Sequence, residues 1–185
     1  ALPTIGEIRA RTEEKFRRRP CLWQCKAALA QLGGEKDIVC ISSTGSGKTL
    51  TFWMPLLFRP EGIQIIITPL NILGSQNTQQ LAKLGISAFA FYLTFRVIVA
   101  SPELAVKPSP GFGFDRLWRN QRFMDKVIGV VWDEGHCISS WGRFREEYLE
   151  AARLRHIAVR PVRFYVPSAT LPEHLLSDVM DILQM

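Results

Sequence analysis

The stretch Asp37-Ile38-Val39-Cys40-Ile41-Ser42-Ser43-Thr44-Gly45-Ser46-Gly47-Lys48-Thr49 decides how the rest of the chain is read. Residues 37–42 have the apolar, β-branched content of a strand, and a helical pattern over 48–57 follows the glycines. From Ser42 to Thr49 the segment fits the template G-x-x-x-x-G-K-[ST], except that Ser42 stands for the first glycine. Gly45 and Gly47 let backbone N–H groups turn inward with no Cβ in the way, as a phosphate cradle requires. Lys48 brings a point charge to the β- and γ-phosphates, Thr49 a hydroxyl for Mg²⁺, and the following helix its positive N-terminus. This order predicts a phosphate-binding turn at the carboxyl end of a parallel strand.

Outward from the loop the same alternation continues. Further strand candidates are 63–68, 86–91, 96–100, 127–133 and 162–166, and helix candidates are 22–32, 73–84, 144–156 and 172–183. The last opens on Pro172 near the first helical position, with Thr170 or Leu171 before it. Several strands are nearly continuous Ile and Val, the pattern of strands covered on both faces. The expectation is a three-layer αβα domain with a mostly parallel sheet, one domain over residues 1–185.

A second site lies at Val127-Ile128-Gly129-Val130-Val131-Trp132-Asp133-Glu134. An apolar strand ending in Asp-Glu puts two carboxylates at the sheet's carboxyl edge, expected beside the phosphate loop. Asp133 would hold Mg²⁺, largely through water, and Glu134 would orient and deprotonate an attacking water. Acidic residues also end strands simply to meet solvent. With the phosphate loop upstream, Lys48, Asp133 and Glu134 point to ATP hydrolysis.

Composition sets the limits. Hydrophobic residues make up 47% and charged residues 22%, as in folded domains. The apolar run 88–93 falls far short of the roughly 20 residues that cross a bilayer, and the opening ALPTIGEIRARTEEK has no apolar core of a secretory signal. No membrane partner is expected. Cys21, Cys25, Cys40 and Cys137 lack C-x-x-C spacing and read as free thiols of an intracellular protein. Basic residues exceed acidic ones by 23 to 17, a net +6. This fits a polyanion-facing surface beside the phosphate site, or a merely basic solvated surface; the cluster Lys15, Arg17, Arg18, Arg19 reads either way.

Taken together, the motifs resemble those of superfamily 2 helicases, and within them the RecQ-type DNA helicases. Phe16 and Arg19-Pro20-Cys21-Leu22-Trp23-Gln24 resemble motif 0, Thr44 to Thr49 motif I, and Thr68-Pro69-Leu70 motif Ia. Val97-Ile98-Val99-Ala100-Ser101-Pro102-Glu103 is similar to motif Ib. Asp133-Glu134-Gly135-His136-Cys137-Ile138-Ser139-Ser140-Trp141-Gly142 resembles motif II running into the RecQ aromatic loop, continued by Phe144, Arg145 and Tyr148. Ser168-Ala169-Thr170 resembles motif III.

The resemblance implies the RecA-like ATP-binding lobe of a 3′–5′ DNA helicase, using ATP and Mg²⁺ on single-stranded DNA and duplex junctions. By it, Arg19 and Gln24 serve the nucleotide, with Gln24 reading the adenine edge. Pro69, Leu70, Ser101, Pro102 and Glu103 lie toward DNA. Trp141, Phe144 and Arg145 sense single-stranded DNA, although without the resemblance the two aromatics read as core residues. His136 hydrogen-bonds toward motif III, where Ser168 and Thr170 link nucleotide and DNA.

There are departures. Gly135 stands where the family usually has Ala, small enough to be tolerated; the loop after Gly142 lacks the usual Asp and Pro; the interval 89–97 is compressed. Nothing before Met185 resembles motifs IV to VI, so a second RecA-like lobe with its arginine finger is the expected partner. Alternatives are a truncated, non-catalytic nucleotide- or nucleic-acid-binding module and a lobe of an RNA helicase, against which the Cys-Ile-Ser-x-Trp-Gly run argues. A DNA substrate would place the protein in the nucleus of a eukaryotic cell.

Overall fold

The computed structural model describes residues 1–69, 96–106, 114–140 and 146–185. Among them, five parallel strands form one sheet: β1 (Ile38–Ile41), β2 (Ile63–Ile67), β3 (Val97–Ala100), β4 (Val127–Trp132) and β5 (Phe164–Ser168). Their spatial order is β1-β5-β4-β2-β3. The helices are α1 (Ile5–Phe16), α2 (Leu22–Gly33), α3 (Leu50–Trp53, continued by a 3₁₀ turn over Met54–Leu57), α4 (Pro102–Val106), α5 (Phe114–Trp118), α6 (Gln121–Met124), α7 (His136–Ser140), α8 (Glu146–Leu149), α9 (Arg153–Ile157) and α10 (Glu173–Leu183).

Strand alternation makes the three layers. Ile63, Ile65, Ile67, Val130, Trp132, Phe164 and Val166 enter one core with Trp118 of α5 and Val179 and Leu183 of α10. The intervening Ile66, Val131 and Tyr165 enter the other, against Phe16 of α1, Ala27 of α2 and Phe52 and Trp53 of α3. Burial on both faces explains why these strands read as continuous apolar runs. Trp132 is fully buried against Phe164 and Tyr148; truncating such a residue typically costs about 3–5 kcal/mol. Among the described residues no helix is long and apolar enough to cross a membrane.

Several expectations need correction. The helix expected over 48–57 is a four-residue α segment from Leu50 and then a 3₁₀ turn, because Pro55 has no N–H to continue it. The helix expected over 144–156 is two short pieces, α8 and α9, among its described residues. Pro172 is the N-cap of α10 rather than its first residue. Helix α1 was not anticipated, although Thr4 and Glu7 form a reciprocal capping box: Glu7 N–H donates to Thr4 Oγ1 (3.2 Å) and Thr4 N–H to Glu7 Oε2 (2.7 Å). The strand candidate 86–91, the helix candidate 73–84 and most of the compressed interval 89–97 lie outside the described residues.

Part of the basic charge turns out to be structural. Arg96 donates to the carbonyls of Leu56 and Arg59, Arg160 to those of Met124 and Val127, and Arg163 to that of Gly34. Arg155 pairs with Asp37 at 2.7 Å, donates to Leu183 O and lies over the Phe164 ring. All four cap polar groups at the amino edge of the sheet, opposite the phosphate loop, so these charges are not part of a DNA-facing surface beside it.

Candidate nucleotide site

Ser42 N–H donates to Ser168 O at 3.0 Å, extending the β1–β5 ladder to the point where the loop leaves the sheet. Gly45 (φ 78°) and Gly47 (φ 83°) then adopt left-handed conformations. Lys48 folds back over the loop, its ammonium donating to Ser42 O (2.7 Å) and Ser43 O (3.1 Å). The off-template Ser42 has a place of its own, since its hydroxyl bonds Ser46 Oγ across the loop at 2.8 Å. With α3 this short, the cradle rests on loop N–H groups and Lys48 more than on a helix dipole.

Gln24, near the start of α2, braces the same loop. Its Oε1 accepts from Cys21 N–H (2.7 Å), and its Nε2 donates to Ser46 O (3.2 Å) and Gly47 O (3.0 Å). A Cβ on Gly47 would sit 2.6 Å from Gln24 Nε2 and displace that amide, and the positive φ separately favours glycine there. Gln24 is buried with its amide on the loop backbone, while Arg19 is exposed on the link between α1 and α2.

The carboxylates follow β4, with β5 between it and the loop strand β1, and Asp133 is still close enough to feel the Lys48 charge. Asp133 N–H donates to Ile67 O, and Asp133 Oδ1 accepts Glu134 N–H at 3.0 Å. Burial, and then the Glu134 charge, push the Asp133 carboxyl up to about 6, against the opposing pull of the Glu134 N–H and Lys48. Glu134 itself has φ 53°, a left-handed setting that is strained for a residue with a side chain. Gly135 is more than a tolerated substitute for alanine: a Cβ there would meet Val166 Cγ1 at 2.4 Å.

His136 joins the two halves. Its Nδ1 lies 3.1 Å from Ser168 Oγ and 3.5 Å from Glu134 Oε2. Ser168 gives its own proton to Thr170 O (2.9 Å), so it accepts from His136 Nδ1–H. A polar path therefore runs Glu134–His136–Ser168–Thr170. Pro69 follows β2, and Ser101, Pro102 and Glu103 follow β3, on the same carboxyl edge and away from the loop; Leu70, Trp141, Phe144 and Arg145 lie outside the described residues. The motifs do not cover the buried Thr51, which bonds Lys48 O, or the buried Tyr165 and Gln31, which bond Thr51; a polar group in an otherwise apolar run was their only signal.

A DEAD/DEAH box helicase profile matches residues 23–179. The chain belongs to that family. Among relatives of this DEAD/DEAH box domain, the RecQ-like DNA helicase blm-1 of Caenorhabditis elegans is 29% identical over 193 residues, covering 92% of this chain and 18% of the relative. The ATP-dependent DNA helicase RecQ of Pasteurella multocida is 33% identical over 140 residues, 65% of this chain and 20% of that protein. The probable ATP-dependent DNA helicase RecS of Bacillus subtilis is 28% identical, covering 81% of this chain and 32% of RecS. The chain thus spans about a third or less of the length of these curated relatives. The crystal structure of the DUF1998 helicase MrfA bound to DNA and AMPPNP superposes with a TM-score of 0.65 at 16% identity, over 97% of this chain and 29% of MrfA, and shows the shared fold.

The residues fit a divalent cation. Thr49 and Asp133 supply hard oxygen donors, and a buried carboxyl raised by a second carboxylate is relieved by a cation beside it. Bound there, Mg²⁺ would neutralise phosphate charge.

Proposed function

We propose that the chain is the ATP-binding lobe of a RecQ-like 3′–5′ DNA helicase, coupling ATP binding and hydrolysis to movement along single-stranded DNA and unwinding of duplex junctions. The observation that carries this reading is the path from Glu134 through His136 and Ser168 to Thr170, which starts at the proposed hydrolytic carboxylate and leaves past the carboxyl end of β5. Lys48 exchanges two loop carbonyls for phosphate oxygens, and the N–H groups of Thr44 to Thr49 orient the phosphates. Glu134 takes the proton of the attacking water. Thr49 and Asp133 would hold Mg²⁺, largely through water. A second RecA-like lobe completes the pocket, and DNA lies along the edge carrying Pro69, Ser101, Pro102 and Glu103; the family resemblance adds Leu70, Trp141, Phe144 and Arg145 as DNA contacts.

The test is affinity for a fluorescent Mg²⁺–ATP analogue with and without single-stranded DNA. Linkage predicts at least about fivefold tighter binding with DNA, less with RNA of the same sequence, and loss of the difference in Ser168→Ala. Equal affinities with and without DNA would contradict the coupling.

A further inference from the structure

The strand that carries Ser168 also carries Tyr165 on its opposite side. Tyr165 is buried, with Phe52 edge-on to its ring at 5.9 Å between centroids. Its hydroxyl lies 2.8 Å from Thr51 Oγ1, which is itself fully buried. Thr51 has one hydroxyl proton and places it on Lys48 O at 2.5 Å. A carbonyl only accepts, so Tyr165 must be the donor to Thr51. Burial holds the phenol far above its ordinary pKa, which keeps that donor protonated.

The anchoring matters because α3 cannot fix Lys48 by itself. In an α-helix the Lys48 carbonyl would accept from Phe52 N–H, but that N–H bonds Thr49 O instead. Among the described residues it is Thr51 that holds Lys48 O, through its N–H (3.0 Å) and its hydroxyl. Thr51 is then gripped from the far side. Pro55 cannot donate to Thr51 O, and Gln31 Nε2 takes that carbonyl at 3.0 Å while Gln31 Oε1 accepts from Gln64 of β2.

Resting on the nucleotide-site reading above, we propose that Tyr165, acting through Thr51, is a positioning residue for Lys48. The phenol–hydroxyl–carbonyl chain lets β5 set the phosphate-loop lysine on one face, while Ser168 and the Pro167 carbonyl hold the Asp133–Glu134 turn at its end. A shift of β5 would then be felt on both sides of the phosphates.

The test uses the full chain and a fluorescent Mg²⁺–ATP analogue, with thermal melting to verify folding. Tyr165→Phe keeps the ring and loses the hydroxyl; it should raise Kd about 3- to 10-fold, the scale of one buried hydrogen bond. Thr51→Val should do the same, and Thr51→Ser, which keeps the hydroxyl, should recover most of that loss. The double variant Tyr165→Phe/Thr51→Val should bind no more weakly than Thr51→Val alone, a non-additivity that general loosening of the core does not produce. An unchanged Kd in Tyr165→Phe, or additive losses, overturns the proposal while the Lys48→Ala control preserves the nucleotide reading. A wild-type chain that binds no analogue overturns both.

Discussion

At Gly135 the missing side chain is a packing requirement set by Val166. A Cβ 2.4 Å from a stiff, fully buried Val166 methyl has no room to relax. Gly135→Ala should destabilise the fold by about 1–3 kcal/mol in urea unfolding, and should cost much less in a Val166→Ala background. Two residues away, Asp133 makes stability depend on pH. Its folded carboxyl, near 6 against an ordinary 3.8, holds a proton more tightly than the unfolded chain does. The resulting stability is full below about pH 4 and is lost as pH rises through about 6, on the order of 3 kcal/mol. In EDTA, Asp133→Asn should therefore be more stable than wild type at pH 7.5, with the difference vanishing near pH 4. A constant difference across that range would contradict the ionised, strained Asp133.

Elements show what the amino acids declare locally and what they do not. The strands are legible because Ile and Val runs such as Ile63–Ile67 have no other explanation than burial on both faces. The four- and five-residue helices α4 to α9 are not, since neighbours hold them and periodicity over so few residues carries little. Helix α1 could have been read from Thr4 and Glu7, which cap it. At the start of β1 and β5, Asp37 receives Arg155 and also the Phe164 N–H at 2.8 Å. Both side chains of the pair are largely buried, 16% and 13% exposed. Arg155→Ala should thus cost about 3–5 kcal/mol in unfolding free energy, because it leaves a buried carboxylate without its cation.

For the whole molecule, the αβα class with its parallel sheet was legible and the order of the strands was not. Residue type and spacing point to Lys48, Thr49, Asp133 and Glu134 because few other tasks need those groups after two strands. The order of the sheet leaves no local trace, so β5 standing between the loop strand and the acidic strand emerges only in three dimensions. The link from Tyr165 to Thr51 spans 114 residues and could not be read from pattern either. The +6 charge changes meaning at this scale too, since arginines at the amino edge are occupied with carbonyls. What unites these features is the proposed nucleoside triphosphate site, with Lys48 at the phosphates. Titration with a fluorescent Mg²⁺–ATP analogue tests this most directly: saturable binding by the wild-type chain and its loss in Lys48→Ala are predicted, and equal binding by the two would contradict it.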